Sequence, residues 1–477
     1  MLLGLDLGTT NIKALVARRD GTVVARAAAP VRVCHLPDGG VEQDIEEIWT
    51  ATLAVMRKAA AGAGGAAIAA IGVSSQGGAL QVLDAHGTPR GRVISWLDER
   101  GRPYDAALTE ELGRQWFARR IGHAGSGITL GQLLRLRAAH ALPPEARLGF
   151  VGDVIVARLC GCAAHDATSL SLAMFYNPAR RCADPDVLAR LQLTQAHLPA
   201  LCSPRAAAGG LLPDVARRTG LPPGIPVSPA VHDQYAAALG ANVTAAGDVM
   251  VGTGTAWVLL LVSDMLPAPL INDAFVCTHL VEGLYGQILS LRNGGSALTW
   301  ALNLTGINEC SGEQFDELLK RVPAGCDGLR VRPFLAAAGH ALPADTAGSI
   351  TGLRLQHGKE HLVRAVLEGL ACELARYLTF ATNDGVPVRR LILCGAAARS
   401  HVTPQIIADV TGIEVACAAE PDTSAFGAAM LACGLCEPGT PLPGIAAAMK
   451  SGTRIIAPGP EQDRYAAMRD EYVKIRH

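Results

Sequence analysis

A short apolar strand, a tight glycine–threonine turn and a second apolar strand occur twice in this chain, near residue 2 and again near residue 248. In the first copy, residues 2–7 read as a strand, Gly8-Thr9-Thr10 as the turn and 12–18 as the returning strand. Asp20-Gly21 then makes a hairpin turn before TVVARA, so the chain opens with a meander. In the second copy, Asp248-Val-Met-Val251 leads into Gly252-Thr-Gly-Thr255, and Trp257 to Val262 returns. Both halves therefore begin with one construction, which points to two related domains, although direct identity between them is slight.

Length agrees with that reading, because 477 residues exceed what one ordinary core accommodates and suggest two to four domains. A Pro-rich stretch, LPPGIPVSPA at 221–230, leads into an apolar run, and the boundary falls within NVTAAGD at 243–247. The expected division is a first domain over 1–244, a second over 245–440, and a tail with a helix over 441–477. Residues 44–61 have helical spacing in Ile45, Ile48, Trp49, Leu53 and Met56. Residues 68–74 and 81–83 read as strands. His361 to Thr379 is an amphipathic helix with a continuous leucine and valine stripe. Arg389 to Cys394 is then a strand ending at Gly395, followed by a helix over 403–410 and another strand. That order makes an α/β unit.

Composition narrows the function. Apolar residues make up 49% of the chain, charged ones 18%, and the net charge is −1 with no long run of one sign. A nucleic-acid footprint or a polybasic membrane anchor needs clustered positive charge, so neither is expected. The opening MLLGLDLGTTNIKALVARR carries Asp6 where a signal peptide would be apolar, and Val249 to Val262 is broken by glycine and threonine and too short to span a bilayer. A cytoplasmic location is the expectation. The thirteen cysteines are scattered, and the pairs Cys433/Cys436 and Cys160/Cys162 lack the further ligands a zinc site needs. They read as buried thiols without a structural metal.

Several residues have the chemistry of a phosphate site. Backbone N–H groups in a concave glycine turn can hold a polyphosphate, and the hydroxyls of Thr9, Thr10, Thr253 and Thr255 add donors. Asp6 sits inside an apolar strand, where an unpaired carboxylate is costly, so it either helps hold Mg²⁺ or caps the turn. Asp233, in the small apolar stretch SPAVHDQYAAALGA, either accepts a proton from a substrate hydroxyl or caps a helix. Trp96, Asp98 and Arg100 offer an aromatic face and a charge pair suited to a sugar, or a local loop pair. Glu42-Gln43-Asp44, just before Trp49, fit equally well as acidic capping residues at a helix start.

Taken in order, these segments resemble the FGGY carbohydrate kinases, and most closely their xylulose kinase branch. GLDLGTTNIKA is similar to that family's first phosphate motif and GGVEQDIEEIW to the segment after it. SSQGGALQVLDAHGTPRGRVISWLDERG is similar to the sugar-site stretch, AVHDQYAAALGAN to the catalytic motif and VGTGTAW to the second phosphate motif. LCGAAARSHVTPQIIADVTGIEV with TSAFGAAMLA resembles the adenosine segment, and PEQDRYAAMRDEYVKI the terminal helix. The matches cover almost the whole chain.

The resemblance implies a duplicated actin-like (ribonuclease H-like) fold with an interdomain cleft, ATP and Mg²⁺ as cofactors, and a small sugar or polyol as partner. A homodimer is the further association left open. It implies Asp233 as general base, with Asp6 and Asp233 placing the metal. Thr9, Thr10, Asn11, Lys13, Gly252, Thr253, Gly254 and Thr255 would surround the phosphates, and Gly395, Ala396, Arg399 and Gln405 the nucleotide. Gln76, Gly77, Gly78, Trp96, Asp98, Asp233 and Gln234 would lie at the sugar. Gly77-Gly78-Ala79 stands where xylulose kinases carry Met-His-Gly, and the expected effect is a more open pocket. Gly395-Ala396-Ala397 replaces a more glycine-rich turn, which is tolerable unless an alanine must take positive φ. The acceptor expected is a pentulose such as D-xylulose, with ribulose, gluconate, glycerol-like polyols and a signalling ketose as alternatives. An ATP-binding switch without transfer is the alternative from another class, and the acid at 233 argues against it.

Overall fold

The computed structural model describes residues 1–65, 67–307, 309–335, 346–449 and 452–473. Lys474 and Ile475 of the closing motif lie outside the described residues.

The first half is built on strands β1 (Leu2–Leu7), β2 (Asn11–Ala17), β3 (Val23–Pro30), β4 (Ala70–Ser75) and β5 (Pro226–His232). β1–β2–β3 is an antiparallel meander, while β4 joins β1 in parallel and β5 joins β4 in parallel. Helix α1 (Ile45–Gly62) covers this meander, and the Asp44 carboxylate caps its first turn by accepting from the Glu46 N–H. Short strands at Ala164–His165 and Ala200–Leu201 extend the far edge. Helix α2 (Asp233–Gly240) leaves β5 directly at the junction with the second half.

The second half repeats the pattern with β6 (Asp248–Thr253), β7 (Trp257–Ser263), β8 (Tyr285–Ser290), β9 (Arg390–Gly395) and β10 (Val415–Ala418). Again the first three are antiparallel, while β9 joins β6 and β10 joins β9 in parallel. The order β3-β2-β1-β4-β5 thus recurs as β8-β7-β6-β9-β10, so the duplication expected from the two turns holds at the level of topology. Helices α3 (Gly295–Leu304), α4 (Lys359–Asn383), α5 (Thr403–Thr411) and α6 (Thr423–Cys436) complete the half, and α4 contains the expected amphipathic segment. No helix among the described residues is long and apolar enough to cross a membrane.

The halves are joined through backbone, not through a linker alone. Helix α6 lies on β1 and β4 so closely that a Cβ on Gly4 would stand 1.9 Å from the Ala425 carbonyl oxygen, and one on Gly72 1.8 Å from that of Ala428. Helix α6 also crosses α2, with a Cβ on Gly427 meeting the Ala236 carbonyl oxygen at 1.8 Å. Any side chain at these glycines pushes the halves apart. Buried Leu2, Tyr235, Met250, Ile392 and Phe426 form one apolar core shared by the two sheets. Each half has a further core on its outer side. Both faces of β1 are therefore covered, and Asp6 is its sole charged residue.

Candidate active site

The parallel strands of the first sheet end together, since Leu7 pairs with Ser75 and Ser75 with His232. The second sheet does the same, pairing Thr253 with Gly395. Loops at the carboxyl ends of such strands are where open α/β sheets bind ligands.

At the first end Asp6 and Asp233 come close enough for their charges to interact. Burial first, and then the Asp233 charge, push the Asp6 carboxyl up to about 7, while the Ser74 hydroxyl donates to Asp6 Oδ1 at 2.9 Å. Burial pushes the Asp233 carboxyl up to about 6 despite its place in the first turn of α2 and hydrogen bonds from Gln234. Lys13 is beside them and lowers Asp6, but its ammonium forms a 2.7 Å ion pair with Asp422. Two neighbouring carboxylates offer oxygen donors of the kind Mg²⁺ takes beside water and phosphate oxygens.

Around Thr9 the side chains of Gln43, Gln76 and Trp96 form a hydrogen-bonded cluster. The Thr9 hydroxyl donates to Gln76 Oε1 at 3.1 Å and accepts from Trp96 Nε1 at 3.2 Å. Gln43 Nε2 donates to the Thr9 carbonyl at 2.9 Å, and Gln43 Oε1 accepts from Gln76 Nε2 at 2.9 Å. Trp96 remains 46% exposed, so an aromatic face is open to a ligand. Gln43 is fully buried and belongs to this cluster, so of the readings the sequence left for 42–44 it is not a cap. Its neighbour Asp44 is the cap.

Several expectations need correcting. Asp98 does not face the cleft, because its fully buried carboxylate accepts from Arg100, Gln132 and the Val41 N–H. It stabilises the loop that carries Trp96. Gly77 and Gly78 do not open the pocket. A Cβ on Gly77 would meet the His232 ring at 2.6 Å and Leu172 Cβ at 2.7 Å, and one on Gly78 would meet Ile128 Cγ2 at 2.5 Å. Those three side chains occupy the space. His232 itself is buried, and that burial holds its imidazole down at about 3, in the neutral form.

The second end contains a cavity of about 840 Å³ lined by Thr253, Gly254, Thr255, Ala396 and the exposed side of α3. Gly254 and Thr255 are exposed there, as are Thr10 and Asn11 on the first turn. The N-terminus of α3 docks on the second turn, with Gly295 N–H donating to the Gly254 carbonyl at 2.9 Å and Ser296 N–H to that of Thr255 at 3.0 Å. Trp300 and Asn303 line the cavity further along the helix. Nothing in the sequence singled out this helix.

Thr253 is among the residues lining the cavity, but its hydroxyl is engaged in the interior. It donates to the Cys394 carbonyl at 2.6 Å and accepts from Ala397 N–H at 3.0 Å, fixing the turn after β9. In that turn Gly395 takes φ +87, and neither alanine after it needs positive φ. The alanine substitutions are therefore accommodated. Gly252 lies within reach of Gln234, whose Oε1 is 4.0 Å from where a Cβ on Gly252 would stand. Gln234, next to Asp233 in the chain, thus lies near the second turn. Arg399 is exposed at the last position of the short helix Ala396–Arg399. Gln405 is turned elsewhere, with Nε2 donating to Asp409 Oδ1 at 2.8 Å and to the Ala457 carbonyl at 3.0 Å. It secures the C-terminal segment to α5.

Comparison with known proteins matches both halves. The N-terminal domain of the FGGY family of carbohydrate kinases matches residues 1–240, and the C-terminal domain of that family matches residues 249–435. A glycerol kinase of Bordetella parapertussis is 30% identical, over 90% of this chain and 88% of its own length. The xylulose kinase of Escherichia coli (strain K12) is 27% identical, over 91% and 89%. The crystal structure of a xylulose kinase from Rhodospirillum rubrum superposes with a TM-score of 0.88 at 28% identity, covering 99% of this chain and 97% of that one.

Proposed function

We propose that this chain, which belongs to the FGGY family of carbohydrate kinases and is an ATP-dependent phosphotransferase, phosphorylates a hydroxyl of a small neutral ketose or polyol. A pentulose such as D-xylulose is the first candidate. One observation carries the reading: Asp233 stands beside Asp6 at the strand ends of the first half, and its neighbour Gln234 lies near Gly252 of the second glycine–threonine turn.

The acceptor lies on the first half, against Trp96 and the Thr9–Gln76–Gln43 cluster, whose side chains are all uncharged. That lining suits a neutral sugar better than an aldonic acid. The nucleotide occupies the cavity beside α3, with its phosphates at the two turns. Backbone N–H groups of concave glycine turns favour that negative charge. Asp6 and Asp233 would hold Mg²⁺, directly or through water, and such an ion neutralises charge on the transferred phosphoryl group.

Asp233 accepts the proton of the acceptor hydroxyl as that oxygen bonds to the γ-phosphorus and the bond to the ADP oxygen breaks. The products are a sugar phosphate, ADP and a protonated Asp233, which returns its proton to solvent. Approach of the halves excludes water, which would otherwise compete as acceptor.

A shorter polyol such as glycerol is the second reading. It is supported by the filling of residues 77–78's side-chain space by His232, Leu172 and Ile128, and by the 30% identity to a glycerol kinase. Coupled ADP release with MgATP against xylulose, ribulose, glycerol and gluconate separates the readings. A ketose with the highest kcat/KM supports the first and glycerol the second, while gluconate as best acceptor overturns both.

A further inference from the structure

We infer that His232 is a positioning residue for Asp233, and that position 77 is glycine because a side chain there would drive the imidazole off that carboxylate. The inference rests on the reading of Asp233 as general base. His232 Nε2 lies 3.2 Å from Asp233 Oδ1, and the His232 side chain is 8% exposed. Nδ1 is buried and has no hydrogen-bond partner among the described residues. An N–H on Nδ1 would therefore be stranded in the interior, whereas an N–H on Nε2 faces a carboxylate. This geometry assigns the proton to Nε2.

The ring is held from several sides. The His232 N–H donates to Thr168 Oγ1 at 2.9 Å, which fixes the end of β5. Tyr235 meets the ring edge-on, with centroids 6.2 Å apart and planes at 64°. On the remaining side lies Gly77, where an added Cβ would be 2.6 Å from Cδ2 and 2.9 Å from Nε2 of His232. Leu172 Cβ would be 2.7 Å from that same point. With Leu172 behind it, a side chain at 77 can be accommodated only by moving the imidazole. The atom that moves is the one touching Asp233.

This arrangement has a defined chemical consequence. With the imidazole 3.2 Å from Oδ1, Oδ2 is the freer oxygen to take the proton from the acceptor hydroxyl. A carboxylate fixed in one rotamer loses no alignment between turnovers, and misplacement by about 1 Å costs on the order of a hundredfold in rate.

The test combines His232→Leu, His232→Gln, His232→Ala, Gly77→Ala and the double variant G77A/H232A, with Asp233→Asn as control. His232→Leu is expected to lower kcat about ten- to hundredfold with the ATP KM and melting temperature near wild type. His232→Gln, whose amide nitrogen reaches the place of Nε2, is expected to recover most of the loss. Gly77→Ala should lower kcat in the wild-type background and cost little once His232 is already alanine. Full turnover in His232→Leu, no recovery with Gln, or an equal Gly77→Ala cost in both backgrounds overturns the inference. If His232→Leu fails to fold, the Gln variant and the alanine pair decide it. An Asp233→Asn variant that keeps its turnover removes the base reading itself, while a dead Asp233→Asn beside an unaffected His232→Leu removes this inference alone.

Discussion

Lys13 and Asp422 are 409 residues apart in the chain and 2.7 Å apart in space. The pair joins the returning strand of the first half to the residue preceding helix α6, and Arg26 reinforces it through Glu420 at 2.5 Å and Asp422 at 3.5 Å. The loop that launches the crossing helix is thus clamped onto the hairpin that carries the first glycine–threonine turn. Both Lys13 and Asp422 keep part of their side chains in water, so solvent screens the attraction. A double-mutant cycle of Lys13→Met and Asp422→Asn in chemical denaturation should give a coupling of at most about 1 kcal/mol. A much larger coupling would mean the clamp carries the interface, which the screening argues against.

Trp96 and Trp300 should separate the two substrates. Trp96 offers its face beside Thr9, and Trp300 lines the cavity beside the second turn. Losing one partly buried aromatic face costs roughly 1–2 kcal/mol, or about five- to thirtyfold in affinity. Trp96→Ala is expected to raise the acceptor KM by that factor with the ATP KM little changed, and Trp300→Ala to do the reverse. Steady-state kinetics with each substrate varied in turn checks this.

The carboxylates set an acid limit on activity. Asp233 must be ionised to accept a proton, and burial has pushed it up to about 6. Turnover should therefore be present above that value and fall as pH drops below it, visible in kcat/KM between pH 5 and 8. Stability runs the opposite way. The folded form holds protons on Asp6 and Asp233 up to about 7 and about 6, against 3.8 when unfolded. In that window the native state binds more protons, so these two groups lower stability as pH rises. Melting of the metal-free protein across pH 4–8 tests the sign, and added Mg²⁺ should stabilise more at pH 8 than at pH 5.

Much of this was legible in the sequence where the signal was local. The strand–turn–strand repeat, the Asp44 cap and the stripe of α4 each depend on neighbours within a few residues, and each is present. What escaped depends on partners far along the chain. Gln43 looks like one member of a polar run, and only the meeting of Thr9 and Gln76 with it, 34 and 33 residues away, makes it part of the site. Asp98 and Thr253 have the residue types a ligand site needs, but Arg100, Gln132 and the Cys394 carbonyl use their hydrogen-bonding capacity. Residues 77–78 show the same limit: two glycines suggest space, and side chains from 128, 172 and 232 take it. Helix α3 is a run of small and apolar residues whose role comes from docking on Gly254 and Thr255.

The most direct test of the account is acceptor-dependent ADP release by Asp233→Asn beside the wild type, with nucleotide affinity measured separately. The account predicts ATP binding close to wild type and turnover lowered about 10²–10⁴-fold. Turnover near the wild-type value would contradict it and remove Asp233 from the chemistry.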